Sequence, residues 1–333
     1  MPFLLRTLTA LALLAAGCLP APLFPTPADA PPAVPVVAPD AAGAIGSNVR
    51  VVADAGGFYE ASIALSRTDP RRMVIGVIGP LASSLRTNYV FTSTDGAQTW
   101  TPGAQMRLDA TNEKIYSRYG DPVIAADRHG RFYHAGLILQ GEPGKYKLSG
   151  IGVSHSDDGI AWSQPVIVTE IDKADSAAFD DKEWLAVDDT DGPFGGSVYL
   201  LWQKMERLPS APGVVYFARS RDRGLTWETP VALTSLAMSG TCLIDVGPQG
   251  EIHIAYYRDP EGMVSRVSWD GGDTFGAPVK MLPEGLFGGA VEGTGIQFPG
   301  FPHLIVDRSR SAHRGNAYFV HVARGRRADG TVG

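Results

Sequence analysis

The most informative eight residues of the chain are Ser220-Arg221-Asp222-Arg223-Gly224-Leu225-Thr226-Trp227. In a tight turn between two strands, the Asp222 carboxylate and the Ser220 hydroxyl can accept hydrogen bonds from turn N–H groups that would otherwise be unpaired. Gly224 supplies the positive φ that such a turn requires. Trp227 can then fold back over the hairpin and bury a large apolar area. The octet therefore predicts a β-hairpin turn.

The same pattern occurs three more times. Octets begin at residues 93, 155, 220 and 268, so the intervals between them are 62, 65 and 48 residues. The first copy has Ala97 at the glycine position, the second opens with His155, and the fourth ends in Phe275. A turn that recurs between strand-like runs is typical of a repeat architecture. The residues with a predicted structural role in these turns are Asp95, Trp100, Asp157, Trp162, Asp222, Trp227, Asp270 and Phe275.

The segments between the octets repeat as well. Each unit reads as strand, turn, strand, longer loop, strand, octet and strand, which makes a four-stranded antiparallel blade. The first strands of the units are predicted at Glu60–Leu65, Asp121–Asp127, Glu183–Asp188, Thr241–Val246 and Pro302–Asp307. The sequence thus predicts an all-β protein, a β-propeller of which about four and a half blades are present.

The octet resembles the Asp-box, or BNR repeat, of the sialidase-like β-propeller family. The resemblance covers about residues 48–333, and we assign residues 46–333 to the propeller. Propellers of this family usually close with six blades, so the resemblance implies that the chain is C-terminally truncated. Residues 48–53 are a spare strand that can complete the last blade. The resemblance also places the octets at one rim and any ligand site at the opposite rim, where the first strands begin.

Composition narrows the class of protein. The chain has 333 residues, 44% of them hydrophobic, and contains 39 glycines and 25 prolines, as expected of a turn-rich all-β protein. The net charge is −6 and no basic cluster extends along one face, so nucleic acid is not an expected partner.

The N-terminus has the features of an export signal. Arg6 precedes an apolar run, Leu8–Ala16, that is too short to span a bilayer. The run ends at Cys18 in a sequence that resembles the bacterial lipobox, which predicts a signal peptide over residues 1–18 and lipidation of Cys18. The alternative is a plain secretory signal. Residues 19–45 are rich in Pro and Ala and predict a disordered linker. We therefore expect a lipid-anchored protein of the bacterial cell envelope, at the outer membrane or cell surface, or otherwise a secreted one.

Charged residues gather where first strands are predicted to begin. They are Glu60, Asp121, Asp181, Lys182 and Glu183. Converging carboxylates suit acid/base chemistry on a glycoside or a hard cation such as Ca²⁺. Apart from this Ca²⁺ alternative, the sequence predicts neither a metal site nor a cofactor. The other interpretation is a solvated acidic loop in which Lys182 pairs with a neighbour.

Two aromatic residues and an arginine precede Asp121. Tyr116 and Tyr119 suit the face of a sugar ring, and Arg118 suits a carboxylate. Tyrosines that pack between blades are the alternative interpretation. We count these three residues and Lys182 as candidate ligand-binding residues.

The chain departs from sialidases at the positions that matter for catalysis. Sialidases resemble one another in an Arg-Ile-Pro at the first inner strand, where this chain has Glu60-Ala61-Ser62. The family's acid/base aspartate precedes the first Asp-box, and here Asp69 is the only aspartate between Glu60 and Ser93. We therefore expect an envelope-tethered propeller that binds a glycan or a cell-surface protein. The alternative is a glycoside hydrolase, exo-α-sialidase-like, that uses the rim carboxylates; its ligand is not specified by the sequence.

Overall fold

The computed structural model is all-β, as predicted, and every element in the part of the chain that it describes is a strand. The described residues are 6–7, 49–51, 57–82, 85–101, 104–106, 118–140, 148–169, 178–206, 213–235, 241–258, 262–282, 289–290, 297–298 and 302–321. Within these ranges no helix is long and apolar enough to cross a membrane. Residues 49–51 form no strand, so the predicted spare strand is absent from that segment.

Four of the sheets are four-stranded, and their strands follow chain order. Blade 1 contains β2 (Tyr59–Leu65), β3 (Met73–Ala82), β4 (Leu85–Ser93) and β5 (Ala104–Gln105). Blade 2 contains β6 (Arg118–Ala126), β7 (Phe132–Gln140), β8 (Leu148–Ser156) and β9 (Val166–Thr169). Blade 3 contains β10 (Ala178–Val187), β11 (Val198–Glu206), β12 (Gly213–Ser220) and β13 (Val231–Ala232). Blade 4 contains β14 (Cys242–Val246), β15 (Ile252–Arg258), β16 (Gly262–Ser268) and β17 (Val279–Leu282).

The remaining strands form two smaller sheets. In blade 5, β20 (His303–Val306) pairs antiparallel with β21 (Ala317–Val320), and β1 (Arg6–Thr7) adds to it in parallel. A two-stranded ladder joins β18 (Gly289–Ala290) to β19 (Gln297–Phe298). The predicted repeat of four-stranded antiparallel units is confirmed.

The blades pack face to face, each with its first strand beside the first strand of the next. Apolar side chains fill the four interfaces between consecutive blades, from blade 1 to blade 5. Every residue of β14 is buried, as expected of a strand covered on both faces. At the ends of this array β2 and β20 instead leave Ile63 and Ile305 more than half exposed.

The octets form the predicted turns. In the third octet the Ser220 hydroxyl accepts the Gly224 N–H at 2.8 Å and donates to Asp222 at 2.7 Å. Asp222 also accepts the Thr226 N–H at 2.8 Å. Gly224 has a φ of 82°, and the residue before it, Arg223, has a φ of 59°. The first and fourth octets repeat these contacts.

The structural role predicted for Asp157 in the second octet is wrong. In the second turn Asp158, and not Asp157, accepts the hydrogen bond of Ser156 and the N–H groups of Ile160 and Ala161. This turn is one residue shorter than the others, so the pattern starts at Ser156. Asp157 lies outside the turn's hydrogen bonds and pairs with Arg131 at 2.6 Å.

The turns also hold neighbouring blades together. The aromatic residues that end three of the octets pack against the core shared with the preceding blade; they are Trp162, Trp227 and Phe275. Arg223 reaches from the third octet into blade 2, where its guanidinium lies 2.7 Å from the buried Asp127. The octets are therefore structural contacts between blades as well as hairpin turns.

Candidate functional site

The candidate charged residues lie at the rim opposite the octets, as predicted. In blades 1 to 4 the octet follows the third strand, at the end where the first strand stops. The first strands of blades 2 and 3 begin at Arg118 and Ala178, before the predicted starts at Asp121 and Glu183. Glu60, Asp121 and Asp181–Glu183 lie toward the other end of the first strands, as the second residue of β2, the fourth of β6 and the fourth to sixth of β10. We call this end of blades 1 to 3 the axial mouth.

A β-bulge interrupts the ladder at the start of each of these three first strands. The bulges lie between Tyr59 and Ser62, between Gly120 and Val123, and between Asp181 and Trp184. A bulge adds one residue to one strand and redirects the side chains around it. The repeated irregularity therefore gives blades 1, 2 and 3 the same local geometry at the mouth.

The bulges hold three charged residues in a left-handed backbone conformation. The φ angles of Glu60, Asp121 and Lys182 are 55°, 43° and 56°, and each residue follows the previous one by 61 positions. For a residue with a β-carbon this conformation costs roughly 1–2 kcal/mol. Such outliers cluster at functional sites, where the surrounding structure maintains them. The propeller thus maintains three equivalent strained positions and places a charge at each.

The side chains at these positions interact across the blades. The Lys182 ammonium lies 3.8 Å from the Asp121 carboxylate. The carboxyls of Glu60 and Asp181 also act on the Asp121 carboxyl. Lys182 thus supplies a cation beside these carboxylates, and its pairing with a neighbour is what the solvated-loop interpretation also predicts.

Burial and neighbouring charges change the protonation of these groups. Burial raises the pKa of Asp121 to about 6, with the Glu60 charge acting in the same direction and Lys182 against it. Burial also raises the pKa of Asp181 to about 6, again opposed by Lys182. Carboxyls that hydrogen-bond to one another can share a proton. The mouth can therefore hold or release a proton near pH 6.

Glu183 directly follows Lys182 in β10 and is 2% exposed. Neither of its carboxyl oxygens has a hydrogen-bond partner among the residues that the structure describes. Burial raises the pKa of Glu183 well above its usual range, and the charge of Asp121 adds to the effect. Buried polar atoms are nearly always paired in proteins, so two orphaned oxygens mark a place for an additional polar group or water.

Sequence reasoning missed Asp180. Its side chain is fully buried and accepts hydrogen bonds from the Trp202 indole N–H at 3.0 Å and the Thr169 hydroxyl at 3.3 Å. Burial raises the pKa of Asp180 to about 6. Trp202 and Thr169 line a cavity of about 210 Å³ between blades 2 and 3, together with Val168, Lys204, Tyr216 and Pro230. The alternation of side chains along a strand, which turns Asp180 and Asp181 to opposite faces, was the signal available in the sequence.

Other candidates fall partly or wholly outside the described residues. Tyr116 and Cys18 are not described, and the structure gives only the backbone of Arg118 and Tyr119, at the start of β6. The predicted pairing of tyrosines and arginine at the mouth therefore stays a prediction. In the described ranges, no three His, Cys, Asp or Glu side chains are arranged to hold a metal ion.

The main charges that act on Asp121, Asp181 and Glu183 are carboxylates and Lys182. Among the described side chains none of these neighbours is an arginine, and the side chain of Arg118 is not described. What the arrangement offers chemically is a set of hydrogen-bond acceptors, one ammonium donor, and carboxyls that can exchange a proton near neutral pH.

No protein-family model matches the chain. A search of curated proteins finds no match either.

Solved structures do resemble it. The complex of a leech intramolecular trans-sialidase with 2,7-anhydro-Neu5Ac matches with a TM-score of 0.50 at 13% identity, over 79% of this chain and 56% of that one. The chain thus spans little more than half of the leech enzyme. The GH93 α-L-arabinofuranosidase of Fusarium graminearum, in complex with arabinobiose, matches with a TM-score of 0.52 at 14% identity, over 78% and 73% of the two chains. A protein of unknown function from Dyadobacter fermentans matches with a TM-score of 0.50 at 17% identity, over 82% and 80%.

At these identities the likeness reports the backbone arrangement and not the activity. Combined with the repeated four-stranded antiparallel sheets, it shows that the chain has the fold of the sialidase-like β-propellers.

Proposed function

We propose that the axial mouth binds glycans. The observation that carries the proposal is the convergence of Glu60, Asp121 and Lys182 from three blades, each at a strained left-handed position. Carboxylates and an ammonium group are suitable partners for sugar hydroxyls. The leech and Fusarium proteins that share the fold are named for activities on glycans, which agrees with a site of this kind.

Glycoside hydrolysis is the second candidate. Asp121 interacts directly with Glu60 and Asp181, and both aspartates have a pKa raised to about 6. Acid/base catalysis needs a carboxyl that is protonated near the working pH, and perturbed carboxyls in a cleft are typical of such sites. In this role Asp121 would donate a proton to the leaving oxygen, and an ionised neighbour would assist.

The test is a glycan-binding titration of the wild type and of Glu60→Gln and Asp121→Asn. The panel contains neutral arabino- and gluco-oligosaccharides, free-amine glucosamine oligosaccharides and sialyllactose. Each change removes one carboxylate from the mouth, so we expect at least a tenfold loss of affinity with little change in melting temperature. Glu60 is exposed, which makes Glu60→Gln the variant least able to disturb folding.

The matched control is Asp69→Asn. Asp69 is an aspartate in the turn between β2 and β3, on the rim of the octets, and its ion pair with Arg71 is exposed. The Asp69→Asn variant should bind glycans as the wild type does. Release of reducing sugar by the wild type, abolished in Asp121→Asn, would favour the hydrolase. Failure of the wild type to bind any glycan would overturn the proposal.

We also propose that the protein is tethered to the cell envelope through Cys18, on the lipobox-like sequence alone. Cys18→Ser should move the protein from the membrane fraction to the soluble fraction and abolish its labelling by fatty acid. Membrane association that persists in this variant would contradict the tether.

A further inference from the structure

We infer that the axial mouth selects glycans that carry a free amine, such as glucosamine oligosaccharides, over neutral and sialylated ones. This inference rests on the proposed glycan binding and adds the class of glycan. It concerns the charge of the ligand, which the fold does not determine.

Negative charge exceeds positive charge among the side chains that the structure describes at the mouth. From β2 comes Glu60, from β6 Asp121, and from β10 Asp181 and Lys182, so among these side chains three carboxylates accompany one ammonium group. The Lys182 ammonium is 3.8 Å from Asp121. Three carboxylates offer more acceptor sites than the three N–H donors of one ammonium group can fill. A cationic ligand group completes this balance. The carboxylate of a sialic acid would add to the repulsion.

Glu183 is almost completely buried next to these charged residues, and both its oxygens lack hydrogen-bond partners among the described side chains and backbone. A buried, unpartnered carboxyl beside an acidic cluster points to a missing donor. A ligand ammonium group provides three N–H donors, more than a hydroxyl can, and can reach Glu183 through a bridging water.

The position of Lys182 shows where a ligand cation could bind. Lys182 occupies in blade 3 the position that Glu60 and Asp121 occupy in blades 1 and 2. Its side chain is 29% exposed and that of Asp121 is 26% exposed, so the pair is open to solvent and to a ligand. A ligand amine placed between Glu60 and Asp121 would make the contacts with blades 1 and 2 that Lys182 makes from blade 3.

The titratable groups around this place determine the effect of pH. They are Glu60 from β2, Asp121 from β6, Asp180, Asp181, Lys182 and Glu183 from β10, Lys204 from β11 and the Cys242 thiol from β14. Below about pH 6 Asp121 and Asp181 become protonated and lose their charge. The attraction for an amine should then weaken, although the amine itself is more fully protonated at the lower pH.

The experiment compares two probes of the same length and linkage: glucosamine pentasaccharide, whose nitrogens are free amines, and its fully N-acetylated form, whose nitrogens are neutral amides. Calorimetric titration of the full-length protein at pH 7 should give at least tenfold tighter binding of the free-amine form. The ratio should fall to about threefold or less at pH 5. Asp181→Asn and Glu183→Gln should reduce it at pH 7, while Asp69→Asn should leave it unchanged. Melting curves of the variants identify any loss that comes from unfolding.

Equal affinity for the two probes, or tighter binding of 3′-sialyllactose, would overturn the inference and leave glycan binding intact. If none of these three probes binds while a neutral arabino- or gluco-oligosaccharide does, the inference fails and glycan binding stands; if no glycan of the panel binds, both fail. A preference for the free amine that persists in Asp181→Asn and Glu183→Gln would place the amine elsewhere and would also overturn it.

Discussion

Arg223→Gly is expected to lower the free energy of unfolding by roughly 3 kcal/mol. Arg223 donates to the Asp127 carboxylate at 2.7 and 2.8 Å from a neighbouring blade. Asp127 is 1% exposed, so loss of the guanidinium leaves a buried charge without its counter-ion. The hydrogen bonds from the Tyr133 hydroxyl and from two backbone N–H groups remain and limit the loss. Chemical denaturation of the purified variant measures the effect.

The matched control is Ala97→Gly. Ala97 also lies in an octet with a positive φ, of 69°, and its side chain is a methyl group. Glycine relieves the backbone strain there, so we expect a gain of about 0.5–1 kcal/mol after the entropy of the unfolded chain is counted. If Arg223→Gly stabilised the protein in the same way, backbone strain would outweigh the ion pair and the proposed contact between blades would be worth little.

Trp227→Ala is expected to cost about 3 kcal/mol, the lower end for removal of a large aromatic side chain, because the indole is only partly buried. The ring packs against the core between blades 2 and 3, which would lose those contacts. Binding at the axial mouth should be unchanged in the molecules that remain folded. Thermal unfolding and glycan titration of the same preparation measure the two effects.

Trp227→Phe is the control for this prediction. The indole N–H of Trp227 has no hydrogen-bond partner among the described residues, so phenylalanine loses no hydrogen bond. Phenylalanine already fills the corresponding place in the fourth octet, at Phe275. We expect a change of about 1 kcal/mol or less. A selective loss of ligand binding in Trp227→Ala, at an unchanged melting temperature, would contradict the structural role of the octets.

The repeat, the blades and the rim of the site were predictable from the sequence because they depend on local signals. Turn chemistry determines the octets, and antiparallel connections then place Glu60 and Asp121 at the opposite rim. The second octet was misaligned because Asp157 and Asp158 both fit the pattern, and only the hydrogen bond of Ser156 separates them.

Other features depend on contacts between blades, which no local pattern contains. Asp180 accepts one hydrogen bond from Trp202, within blade 3, and one from Thr169, in blade 2. Neither hydrogen bond could be predicted from the spacing of residues in the sequence. The bulges at Glu60, Asp121 and Lys182 were also missed, since none of these residues is a glycine. Their common interval of 61 residues was the available signal.

The separation of the two rims has an evolutionary consequence. The octets supply contacts between blades at one rim, whereas Glu60, Asp121 and Lys182 lie toward the opposite rim on the first strands. Single codon changes at these three sites can alter the charge of the mouth one blade at a time, without changing any residue of the octet turns. A gene that carries such a repeat can diverge in ligand preference while its product continues to fold, and charge reversal at Lys182 or at Glu60 needs only one base change.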